Sequence, residues 1–180
     1  VWVITCTLTV LADLTVAVEA GMILAALLYI RKVTVTTTVS RVTPEYVTGG
    51  VPHSLQSNPI PEGVAVYRVH GPFLFGSTDK LSIIAEDLRD LPAVVVLRLR
   101  NMTAIDATGL QAFERLADAL HETGRHLVLC GMRDQPTKLM EQAEFHRQIG
   151  AENLQPHLAA GLTRARAILA ASGGSQQRSA

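Results

Sequence analysis

Cysteine is nearly absent: Cys6 and Cys130 are the only two in 180 residues, far apart and outside any C-x-x-C pair. That excludes a disulfide framework and a cysteine-based zinc site. The six histidines are scattered, with no H-E-x-x-H or comparable ligand spacing. No G-x-x-x-x-G-K-[ST] or G-x-G-x-x-G stretch occurs, so nucleotide chemistry lacks its usual backbone cradle, and no cofactor is expected. Net charge is missing too. Sixteen basic residues balance sixteen acidic ones, which argues against a nucleic-acid partner, since phosphate binding needs a basic excess. No nucleophile–base pair is visible in the order of residues, so the chain reads as a non-enzyme.

A further absence divides the chain. Residues 1–30 contain no Lys or Arg, and their only charges are Asp13 and Glu19. Arg31-Lys32 then follow abruptly. The 17 residues Leu14–Ile30 would span roughly 25 Å as a helix, the short limit for a membrane segment. A basic pair at its end marks a cytoplasmic side. Ala17, Gly21 and Ala25 repeat at every fourth position, a small-residue stripe suited to close helix packing. Asp13 and Glu19 are expected to be buried acids in this segment, facing protein or water rather than lipid. A secretory signal is disfavoured, because no basic residue precedes the apolar run; a buried helix of a soluble domain is the competing reading. Val1–Leu11 is apolar but too short to span alone. With Val rather than Met at position 1, it reads as the end of a preceding helix, and the chain as the C-terminal piece of a larger membrane protein or of a truncated gene.

Composition then shifts. Residues 33–61 are rich in Thr, Ser, Pro and Gly and read as a linker, its first part helical or extended. From residue 62 to 171 the pattern alternates between strand and helix. Strands are expected at 64–69, 72–75, 93–100 and 126–131, with a short one near "ENLQP". Helices are expected at 78–90 with Ser77 as N-cap, at 107–123 with Gly124 as its stop, at 135–143 and at 157–171. Residues 172–180, "SGGSQQRSA", read as a disordered tail. Alternation of this kind implies a mainly parallel sheet with packed helices, and sites at the carboxyl ends of strands.

"NMTAIDATG" lies at such an end. Asp106 suits an N-cap and also the positive end of the helix dipole. Gly109 permits close backbone approach, and Thr108 falls in the first turn, either as a plain helical residue or as a modification site. Arg98 and Arg100 alternate with Leu97 and Leu99, so both project to one face of the strand. They suit an anion or partner contact, or pairing with acidic helix residues.

Three stretches together resemble one family. "LTVLADLTVAVEAGMILAALLYIRK" (8–32) is similar to the last membrane segment of SulP-type anion permeases, the solute carrier 26 family. "FLFGSTDKL" (73–81) and "VVVLRLRNMTAIDATGLQAF" (94–113) are similar to their cytoplasmic STAS domain, shared with anti-sigma-factor antagonists. The order of membrane end, linker and domain also matches. The resemblance implies an α/β STAS fold preceded by a membrane helix (about 14–30, within a 1–32 membrane end). It implies a C-terminal fragment of a secondary active sulfate- or bicarbonate-type transporter in the inner membrane, with residues after about 31 in the cytoplasm. The implied partners are the upstream transmembrane helices, a second copy in a homodimer and a cytoplasmic regulatory protein. The alternative is a stand-alone switch protein. Thr108 occupies the position phosphorylated in the soluble antagonists, within a signature of Asp106, Ala107 and Gly109; Ala107 stands where those proteins often carry Ser. Ser77, Arg98 and Arg100 are the expected anion or partner contacts.

Overall fold

The computed structural model describes residues 2–11, 13–42, 59–74, 80, 81, 84 and 90–176. The chain forms two compact units, Val1–Thr36 and Thr37–Ala180.

The first unit is a pair of helices, α1 (Trp2–Leu11) and α2 (Leu14–Thr36). Asp13 starts α2: its Oδ1 accepts the Leu14 amide at 2.6 Å and its carbonyl accepts from Ala17. A hydrophobic run this rich in Ala, Leu and Ile favours helix, and small residues let the two helices approach. A Cβ on Gly21 would lie 2.6 Å from Thr5 Cγ2. The packed face of α2 carries Ala17, Ala20, Gly21 and Leu24. Ala25 is exposed, so the small-residue stripe is used only in its first two members. Glu19 and Asp13 are exposed, not buried. Glu19 lies two residues, roughly 200°, around the helix from Ala17, which turns it away from α1. The expected membrane helix is also corrected. Among the described residues no helix is long and apolar enough to cross a membrane.

The second unit is a five-stranded sheet in sequential order. Its strands are β1 (Thr38–Arg41), β2 (Val64–Phe73), β3 (Val94–Ile105), β4 (His126–Cys130) and β5 (Leu154–Gln155). β2 to β5 are parallel, and β1 runs antiparallel along β2. Of the expected linker, residues 33–36 end α2 and residues 38–41 form this edge strand. Thr37 between them, fully buried, donates its hydroxyl to the Pro72 carbonyl. The two short strands expected at 64–69 and 72–75 are one. Irregular register between Arg68 and His70, and again between Gly71 and Phe73, carries β2 through the Gly-Pro step.

Helices cover both sheet faces, as the apolar runs of buried parallel strands require. One face holds Val95, Leu97, Leu99, Met102 and Ile105 of β3 against Leu110, Phe113, Leu116 and Leu120 of α3 (Ala107–Glu122). Leu81 and Ile84 join this cluster, the described part of the helix expected at 78–90. Also on this side are α4 (Asp134–Gln142) and α5 (Phe145–Ile149), which contribute Met140 and Phe145. The opposite face holds Val64, Val66, Val94, Val96 and Val128 against Leu158, Leu162, Ala165 and Ile168 of α6 (Leu158–Gln176). α6 runs past Ala171 into the expected tail, with Ser172 Oγ bonded to the Ile168 carbonyl. α5 has no counterpart in the sequence expectation. It follows a left-handed Glu144 (φ 55°), a conformation uncommon for a residue with a side chain.

Candidate functional site

The expected loop at 101–109 is mostly strand. β3 continues to Ile105, five residues beyond Arg100, and only Asp106 separates it from α3. Asp106 is extended (φ −109°, ψ −179°), and its Oδ1 accepts the Gly109 amide at 2.7 Å. Its carbonyl accepts the Leu110 amide at 2.9 Å, the first bond of α3. This is an N-cap, the role read from the sequence. Replacing Asp106 with alanine is expected to cost about 0.5–2 kcal/mol of stability, read as a lower Tm; an unchanged Tm would count against the capping role.

Gly109 is buried beneath the cap. A Cβ there would lie 2.6 Å from the Phe73 carbonyl oxygen and 2.9 Å from Ile105 Cγ1 and Phe73 Cδ1. The turn is thus pressed onto the end of β2. The Phe73 ring meets Phe113 edge-on, centroids 5.3 Å apart at 66°, the preferred geometry for an aromatic pair. Ala107 is exposed and Thr108 half-buried. The Gly109 amide beside Thr108 is already taken by Asp106, which leaves fewer helix-end donors for an added phosphate.

Gln135 holds the turn from the other side, and sequence reasoning missed it. Its Oε1 accepts the Ile105 amide at 3.0 Å and its Nε2 donates to the Ile105 carbonyl at 2.9 Å. The side chain acts as one rung of a further strand on the side where β4, whose pairing stops at Arg98, no longer accompanies β3. Nothing local to Gln135 signals this, because its partner is 30 residues away in sequence.

Arg98 and Arg100 follow Val94 and Val96 on the α6 face of the sheet. Arg98 is half-buried and Arg100 exposed. Burial lowers the Arg98 pKa from its ordinary value, and the Arg100 and Arg68 charges add to that; the Cys130 sulfur acts in the opposite sense. Among the described residues neither Arg98 nor Arg100 pairs with an acidic helix residue; the salt bridges there are Arg147–Glu144 and Arg164–Glu152. Cys130 itself is buried, and burial pushes its thiol up to about 12, so it is not poised as a nucleophile. Ser77 lies outside the described residues. No group of His, Cys, Asp and Glu able to hold a metal exists among the described residues.

Comparison with known proteins places this geometry. The STAS domain family pattern matches residues 57–161, more than half of the chain and including the turn, Arg98, Arg100 and Gln135. Over 156 residues the chain is 24% identical to the putative sulfate transporter YvdB of Bacillus subtilis, covering 83% of this chain and 27% of that protein. It therefore spans about a quarter of the length of that relative. The crystal structure of a sulfate transporter family protein from Wolinella succinogenes superposes with a TM-score of 0.61 at 28% identity, covering 66% of this chain and 98% of that one. The murine Solute Carrier 26 family member A9 anion transporter, inward-facing, shares the fold with a TM-score of 0.68 at 15% identity, over 92% of this chain and 28% of its own. The chain belongs to the STAS domain family, and within it is similar to the domains carried by sulfate transporter proteins.

Proposed function

We propose that the chain is the C-terminal part of a secondary active anion transporter of the sulfate or bicarbonate type, in which the STAS domain serves as a cytoplasmic regulatory and dimerisation module. One observation carries the reading. Among the described residues, the large apolar side chains left exposed all fall between Trp2 and Ile30, with Trp2 and Val10 80% and Tyr29 69% exposed. A surface of this kind is a site for lipid or for other apolar helices. It sits in the same chain as a domain similar to those of sulfate transporter proteins. The α1–α2 pair then packs its exposed apolar side chains against further helices of the transporter at the inner membrane, which also surround Glu19. The charged pair Arg31-Lys32 marks the cytoplasmic boundary. The working unit is a homodimer whose domain is open to a cytoplasmic regulatory protein, and no enzymatic step is assigned to it.

Membrane fractionation of the full chain tests this. The chain is expected in the membrane pellet, resistant to high salt and released by detergent. Recovery in the soluble fraction without detergent would overturn the membrane reading and favour a stand-alone switch protein with Thr108 as its phosphate acceptor.

A further inference from the structure

The middle of β3, the carboxyl end of β4 and the start of α6 enclose a cleft of about 310 Å³, lined by Arg98, Arg100, Gly131, Met132 and residues 156–159. This is the lower end of the range for small-molecule sites, about 300–1,000 Å³. Its charge is of one sign. No carboxylate pairs with Arg98 or Arg100 among the described residues, and the charged neighbours acting on Arg98 include Arg100 and Arg68. Arg98 and Arg68 are paired across β2 and β3. Holding the two guanidinium groups of Arg98 and Arg100 together on one partly buried strand is unfavourable unless an anion joins them. The backbone is committed around them. Arg133 Nε donates to the Arg100 carbonyl at 3.0 Å, and the Gly131 amide donates to the Gln155 carbonyl at 3.0 Å. The cleft is thus framed by the sheet and by turns tied to it. The first bond of α6 runs from the Gly161 amide to the His157 carbonyl, so the amides of the turn that lines the cleft have no partner within the helix.

We infer that this cleft binds a tetrahedral oxyanion of the phosphate type, gripped by the forked guanidinium groups of Arg98 and Arg100. Guanidinium matches such an anion with paired, charge-assisted hydrogen bonds, which a point charge does not. The site is distinct from the Asp106–Gly109 turn, and it stands whether or not the chain belongs to a transporter.

The test is a titration of the full chain, in detergent where needed, with inorganic phosphate and sulfate at constant ionic strength, followed by amide NMR shifts. Saturable shifts are expected at Gly131, Met132, Leu158 and Ala159. The Arg98→Gln/Arg100→Gln double variant is expected to bind about tenfold or more weakly, while Arg147→Gln, on the exposed α5 surface, binds as the unaltered chain does. Absence of saturation, an equal response to chloride, shifts located elsewhere, or a folded double variant with unchanged affinity would each overturn the inference. If the double variant does not fold, the shift map of the unaltered chain decides alone.

Discussion

Gly109→Ala is expected to destabilise the domain by about 3 kcal/mol, a fall in Tm of roughly 10 °C for a unit of this size. One methyl group has this effect because of what it meets. The nearest atom is the Phe73 carbonyl oxygen, 2.6 Å from the added Cβ, and it belongs to the backbone of a paired strand. A flexible side chain would swing aside; β2 cannot without breaking its pairing with β3, where Phe73 sits opposite Ile105. The alternative relief is to lift α3, which pulls Leu110 and Phe113 from the core. Either route costs packing. Thermal unfolding followed by circular dichroism measures the effect. A Tm within about 2 °C of the unaltered protein would mean that the turn is not pressed onto β2 as the structure has it.

Phe113→Ala is expected to cost still more, about 3–5 kcal/mol. Phe113 is fully buried, and its ring supports Phe73 edge-on. Truncation removes the apolar area and leaves a void that the flanking Leu116 and Leu110, held on a helix, cannot close. The void opens directly beneath the signature turn, so loosening there is expected along with the loss of stability. Faster amide exchange at Gly109 and Leu110 than at Val128, which lies on the other sheet face, is the measurement. Uniform change across the domain would detach the turn from the aromatic pair.

These two effects are not equally visible in the chain's residues. The helical spacing of Leu110, Phe113, Leu116, Ala117 and Leu120 marks α3 and its buried face, and all five are buried. A glycine after Asp-x-Thr invites the idea of close approach, but the atom approached, the Phe73 carbonyl, is 36 residues away in sequence. The strand ends show the same limit. Val94 to Leu97 is an apolar run that declares itself, whereas Asn101–Ile105 is a mixed stretch with no such run; β2 on one side and Gln135 on the other hold it extended. The polar 38–41 segment, Thr-Val-Ser-Arg, forms β1 for a similar reason: the open edge of β2 offers it backbone partners that composition cannot announce.

What the sequence determined by itself is local or periodic. It includes the N-cap at Asp106, the apolar faces of α3 and α6, the valine-rich central strands and the sharp change of character after Ile30. Each depends on bonds within one turn or on spacing along one element, so neighbours in sequence suffice. Tertiary structure decided the rest. It set the reach of β3, the role of Gln135, the outward turn of Glu19 and the convergence of Arg98 and Arg100 on the start of α6 without carboxylate partners among the described residues. Those features depend on which surfaces meet across tens of residues, where packing overrides local preference.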